Sequence, residues 1–194
     1  EMLRSLKSAG IRVPGGFATT ADAYWEFLEH NDIRDKLGKT ISALQQGDTE
    51  LEKAGKRIRR LFLNGAFPDQ LKQAVGDAYN TLSDRNDTEA VDVAVRSSAT
   101  AEDLPGASFA GQQETFLNIS GLDDLLDACR RCYASLFTDR AIAYREEQGF
   151  DHMKIALSIG VQKMVRSDKS GSGVMFSIDT ESGFRGAVVI NAAW

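Results

Sequence analysis

The chain has 194 residues, 42% of them hydrophobic and 26% charged, with a net charge of −5. That length buries a substantial core as one domain or two small lobes, and the acidic balance argues against a general nucleic-acid binder, which needs a basic face. No apolar run approaches the roughly 20 residues that cross a bilayer, and no secretory leader opens the chain.

In chain order, Leu3 to Ala9 reads as the end of a helix stopped by Gly10, and Ile11 to Ala18 as a short strand bent by Pro14-Gly15-Gly16. Thr19 or Thr20 can cap a helix over Ala21 to His30, with Trp25, Phe27 and Leu28 on its buried side. Residues 32–84 look helical almost throughout. Ile33, Leu37, Ile41 and Leu44 recur at helical spacing, and Gly47-Asp48 breaks the run. Asp48 or Thr49 can then cap a helix to about Leu63, and Pro68 starts another to about Leu82. Lys53, Lys56, Arg57, Arg59 and Arg60 cluster within this region, and a solvated helix face accounts for them. Ser83 to Ala90 reads as a polar surface linker.

The central stretch opens as an apolar strand, Val91 to Val95, and is expected to deliver Arg96 at its end. Ser97 and Ser98 follow, then a loop of small residues with Glu102, Asp103 and Leu104-Pro105-Gly106, and a second strand over Glu114 to Ile119. Small residues let backbone N–H groups approach a ligand, and an arginine offers a fixed fork of donors. Together these suit phosphate oxygens. The stretch is neither a Walker A loop nor a Gly-x-Gly-x-x-Gly fingerprint.

Leu122 to Phe137 and Asp139 to Gln148 read as two helices, with Thr138 capping the second and Gly149 ending it. Cys129 and Cys132 fall inside the first. His30 and His152 have no ligand spacing, so reduced thiols are expected rather than a zinc or redox site. Ile155 to Val165, containing Gln162, and Gly173 to Ile178 read as strands that form a hairpin across the polar turn Arg166 to Gly171. Glu181 to Gly186 turns again into Ala187 to Ile190. The chain begins mid-helix and ends on a strand-like run, so both ends read as cut and a fragment of a longer polypeptide is expected. The fold class is α+β, with a mainly antiparallel sheet and a helical insertion at about 32–84.

The run Val93-Ala94-Val95-Arg96-Ser97-Ser98-Ala99-Thr100-Ala101-Glu102-Asp103, followed by Ser108-Phe109-Ala110-Gly111-Gln112-Gln113-Glu114-Thr115-Phe116-Leu117-Asn118, resembles the signature of the phosphoenolpyruvate synthases (pyruvate, water dikinases). The likeness continues through Phe17 to Ala23, Leu136 to Ile142 and Gly173 to Thr180, covering almost the whole chain.

The resemblance implies an ATP-grasp-type nucleotide-binding lobe over 1–194, with the histidine domain that shuttles the phosphoryl group and the pyruvate-binding barrel lying outside this chain. It implies ATP and Mg²⁺ as cofactors, a cytoplasmic enzyme, gluconeogenic use and a possible homodimer of the full-length protein. Its reaction converts ATP, pyruvate and water to phosphoenolpyruvate, AMP and phosphate. Carried over by position, Arg96 is the phosphate-binding arginine and catalytic residue. Gly111 and Thr115 line the nucleotide, and Gln162 sits near adenine or ribose. No metal ligand is assigned within the chain. The family's Gly-Gly-Lys and Gly-Leu-Gly-Glu segments are absent, so no turnover is expected of this chain alone.

Other readings are a related dikinase, such as a pyruvate phosphate dikinase or a rifampin phosphotransferase, or a non-catalytic module docking through the basic region at 32–84. The segment Ala110 to Thr115 favours the synthases.

Overall fold

A computed structural model describes residues 5, 6, 8–99 and 114–193. The expected Ser/Gly loop and Gly111 lie outside the described residues. Two compact units divide the chain, residues 1–164 and 165–194.

In the first unit the helices form where amphipathic spacing meets a stop signal. Thr20 caps α1 (Ala21–His30), its hydroxyl accepting from the Ala23 amide. Ile33, Leu37 and Ile41 form the buried stripe of α2 (Ile33–Gln45). The next helix, α3 (Leu51–Leu63), has Glu50 at its N-cap position with no capping side chain, in place of the expected Asp48 or Thr49. Pro68 precedes α4 (Asp69–Asp84). Later come α5 (Leu122–Ser135) and α6 (Asp139–Gln148), the latter capped by Thr138 and closed by Gly149 at φ +68°. Tyr24, Phe27, Phe62, Phe67, Tyr133 and Phe137 pack ring against ring at the centre of these helices. Cys129 and Cys132 are buried free thiols within that core.

The sheet of this unit is antiparallel throughout, in the order β1-β4-β2-β3. Its strands are β1 (Gly16–Ala18), β2 (Val93–Ala99), β3 (Thr115–Ile119) and β4 (Leu157–Lys163). Alternation divides its side chains between two faces. Val93, Val95, Leu157, Ile159 and Val161 are buried on one side, against the helical core. Arg131 of α5 lies over the Phe116 ring at 4.2 Å, joining helix and sheet on that side. A bulge in β3, with Asn118 at φ +56°, separates the Val93–Ile119 pair from the Val95–Phe116 pair.

The second unit is an antiparallel ribbon of β5 (Ser172–Phe176) and β6 (Val189–Ala193). The expected hairpin between the 155–165 and 173–178 strands does not form. Both edges of β4 are already taken, by β1 on one side and β2 on the other, which leaves β5 to pair with β6. Every residue of β5 and β6 is exposed.

The basic run on α3 is not uniformly solvated. Arg59 donates at 2.6 Å to the Asp139 carboxylate and at 2.8 Å to the Phe137 carbonyl, tying α3 to the start of α6. Lys53, Lys56, Arg57 and Arg60 are exposed.

Candidate functional site

Arg96 does not end its strand. β2 continues to Ala99, because β4 pairs with it along its full length, and Arg96 stands near the middle on the face turned away from the core. Thr115 of β3 lies directly opposite Arg96 on one side, and Gly160 of β4 lies opposite on the other. Gln162, two residues beyond Gly160, shares that face and pairs across to Ala94 and Gly16. Directly opposite side chains start about 5 Å apart, and diagonal neighbours about 7–8 Å apart. Three of the four expected site residues therefore share one face of three adjacent strands. Gly111 is the fourth and lies outside the described residues.

Chemically, that face offers a guanidinium fork, a hydroxyl and an amide. Between them lie Gly16, Ala18, Ala94, Ser98, Ser158 and Gly160, all small. A Cβ built on Gly160 meets nothing closer than the Arg96 carbonyl oxygen at 3.9 Å, so the protein's own packing does not demand glycine there. Gly16 differs. Its Cβ would sit 2.2 Å from the Val161 carbonyl oxygen, so the approach of β1 to β4 requires its absence. This floor is readable in the period-two placement of Gly160 and Gln162, a signal the sequence reading left unused.

Ser97 faces the other way. Its hydroxyl accepts from the Glu114 amide at 3.2 Å and reaches the Glu114 carbonyl at 3.3 Å, so it closes the β2–β3 pair. Ser98, one residue on, is exposed on the Arg96 face.

A second polar cluster has no counterpart in the sequence reading, since no local spacing announces it. Arg145 on α6 is 1% exposed. Its Nε donates to His152 Nδ1 at 2.9 Å, and an Nη donates to the Leu136 carbonyl at 2.5 Å, with the guanidinium 5.1 Å from the Phe137 ring centre. His152 Nε2 lies 2.6 Å from Glu146, which also accepts from Gln45 of α2 at 3.0 Å. Burial pulls the Arg145 pKa down to about 10, against Tyr24 and Glu146. Burial, with the Arg145 charge, also lowers His152, against Glu146 and Asp151. Burial would raise the Glu146 carboxyl, but the Gln45 and His152 hydrogen bonds and the charges of His152 and Arg145 hold it below its usual range. A cleft of about 440 Å³ opens beside this cluster, lined among others by Gly38, Gln45, Glu146 and His152.

Burial drives both thiols up, Cys129 to about 12 and Cys132 further. Their packing in the core is what makes them structural. Among the described residues, no group of three His, Cys, Asp or Glu is placed to hold a metal ion, and no helix is long and apolar enough to cross a membrane.

A mixed helix and antiparallel-sheet domain with an open donor-bearing sheet face is the class these features define. The chain belongs to the family of the pyruvate phosphate dikinase AMP/ATP-binding domain, whose profile matches residues 1–194. Over its whole length it is 55% identical to the phosphoenolpyruvate synthase of Aquifex aeolicus (strain VF5) and 52% identical to that of Escherichia coli (strain K12). It is 47% identical, over 99% of its length, to the probable phosphoenolpyruvate synthase of Methanocaldococcus jannaschii. The chain spans 23%, 24% and 16% of those three proteins, respectively.

Proposed function

We propose that this chain is the ATP-holding part of a phosphoenolpyruvate synthase, an ATP-grasp-type lobe that presents the nucleotide's phosphates to a histidine elsewhere in a longer polypeptide. One observation carries the reading. Arg96, Thr115 and Gln162, far apart in sequence, meet on one face floored by small residues. The full-length relatives bearing the synthase name support the choice of enzyme.

Arg96 has the catalytic part in this reading. Phosphoryl transfer spreads charge over the equatorial oxygens, and a fixed guanidinium fork stabilises that charge without reorganising. Thr115 donates its hydroxyl to a neighbouring phosphate oxygen. Gln162, with an amide that both donates and accepts, suits the adenine or ribose end. Gly111, outside the described residues, is carried over by position as a residue lining the nucleotide. No set of three His, Cys, Asp or Glu among the described residues would hold Mg²⁺, so the ion would come with the nucleotide and would supply charge neutralisation. Pyruvate and the phosphohistidine belong to other domains of the parent, so the chain alone is not expected to turn over.

The test is an NMR titration of the chain with Mg-ATP, beside Arg96→Ala. Shifts clustering at residues 96, 115 and 162 and abolished in the variant support the reading. An unresponsive face in a folded sample at millimolar nucleotide counts against it.

A further inference from the structure

The strand that supplies Gly160 and Gln162 is anchored just upstream by a residue with no part in holding the nucleotide. His152 sits in a 3-10 turn (His152–Lys154) five residues before β4 begins, and is 3% exposed. Its two ring nitrogens have partners that dictate its proton. Arg145 Nε can only donate, so Nδ1 must be the lone-pair nitrogen. The ring proton is then on Nε2 and is donated to the Glu146 carboxylate.

We propose that neutral His152 is a positioning residue for β4, and that protonating it loosens the ligand face. A proton on Nδ1 would set an N–H against the Arg145 N–H, turning a 2.9 Å hydrogen bond into a repulsive contact between two cations. Arg145 cannot yield easily, since it is held by the Leu136 carbonyl and packed over Phe137. The turn is the more movable partner. It is fixed otherwise by the Asp151 carboxylate, which accepts from the Met153 amide, and by the Lys154 amide on the Asp151 carbonyl. Beyond it, Ile155 and Ala156 are buried and lead straight into β4. A shift of the turn is therefore passed to the paired strand.

The charged and titratable groups around His152 are Arg145 and Glu146 of α6 and Asp151 and Lys154 of its own turn, while α2 contributes the neutral Gln45. Tyr24 faces Arg145 from α1. Solvent reaches the cluster from one side. Glu146, with its side chain 35% exposed, stands at the cleft, and Arg145 and His152 also line it while remaining almost wholly buried. Protons therefore have a route to the imidazole, and the clamp on its other side is held fixed.

The proposal rests on the nucleotide reading for its consequence but not for its mechanism, and the experiment separates the two. Imidazole and amide NMR spectra of the chain are recorded across pH 5 to 8, with exposed His30 as the control. The expected result is an Nε2–H tautomer for His152 and movement of the Gly160 and Gln162 amides with the His152 midpoint. In Glu146→Gln, which keeps an acceptor but removes the charge that favours imidazolium, both midpoints fall together. Mg-ATP affinity is expected to weaken about fivefold or more as His152 becomes protonated. A proton on Nδ1, or β4 amides that ignore the His152 midpoint in both proteins, overturns the positioning role. Coupled midpoints with no nucleotide binding at any pH leave the positioning role standing and reject the nucleotide reading. Binding that is constant while the midpoints stay coupled shows that the strand movement does not reach the ligand, and overturns the functional half of the proposal.

Discussion

Arg96 and Thr115 face one another across the β2–β3 pair, in direct register and on the side of the sheet that the helical core leaves open. Nineteen positions separate them in sequence, yet antiparallel pairing sets a guanidinium beside a hydroxyl. That juxtaposition yields the most direct test. Because Arg96 is exposed, Arg96→Ala should leave stability within about 0.5 kcal/mol of the parent. A charge-assisted hydrogen bond contributes about 1.5–3 kcal/mol, so Mg-ATP affinity should fall by roughly 10- to 150-fold. Denaturant unfolding and a nucleotide titration read the two halves separately.

The two glycines of the floor should behave oppositely. Gly160→Val places a side chain over open space, so it is expected to fold and to lose nucleotide binding by obstruction. Gly16→Ala drives a Cβ into the Val161 carbonyl and should destabilise the β1–β4 edge by about 1–3 kcal/mol, as overpacking does. Thermal melts beside titrations separate them. A Gly160→Val protein that binds Mg-ATP normally would remove that floor from the site.

Arg145→Met removes the donor of two buried hydrogen bonds and leaves His152 Nδ1 and the Leu136 carbonyl without it. Leaving a buried neutral acceptor unpaired costs about 1–3 kcal/mol each. A urea midpoint that barely moves would mean that the methionine's packing offsets the loss.

Acid should destabilise the fold in two overlapping steps. His152 is held below its ordinary value, so its contribution is complete above about pH 6.5 and is lost as pH falls toward its folded pKa. Glu146 is held below its ordinary value as well, so its contribution is present above about pH 4.5 and disappears on further acidification. Urea midpoints measured from pH 8 to pH 3 should decline monotonically as the two contributions are lost in turn.

The thiols offer a check on the core. With both sulfurs buried and their pKa values raised, neither Cys129 nor Cys132 should react with a water-soluble disulfide reagent at pH 8 in the folded protein. Both should react in denaturant. Rapid labelling under native conditions would mean that α5 opens locally.

Local chemistry alone determined a good part of this protein. Thr20 and Thr138 cap their helices with a hydroxyl within reach of a nearby amide. Gly149 ends α6 in a left-handed conformation, and the stripe at Ile33, Leu37 and Ile41 finds the core. The resemblance carried by the 93–119 stretch was equally legible, and the family match bears it out. Strand partnership was not legible. Which edge of β4 is free depends on two other strands, Gly16–Ala18 and Val93–Ala99, remote in sequence, so the local hairpin expected with the 173–178 strand lost to them. The same pairing extended β2 beyond Arg96, turned Ser97 inward and Arg96 outward, and set Thr115 and Gln162 on the arginine's face. The Arg145–His152–Glu146 cluster lay equally out of reach. Only burial makes a guanidinium hold an imidazole neutral, and burial belongs to the packed whole.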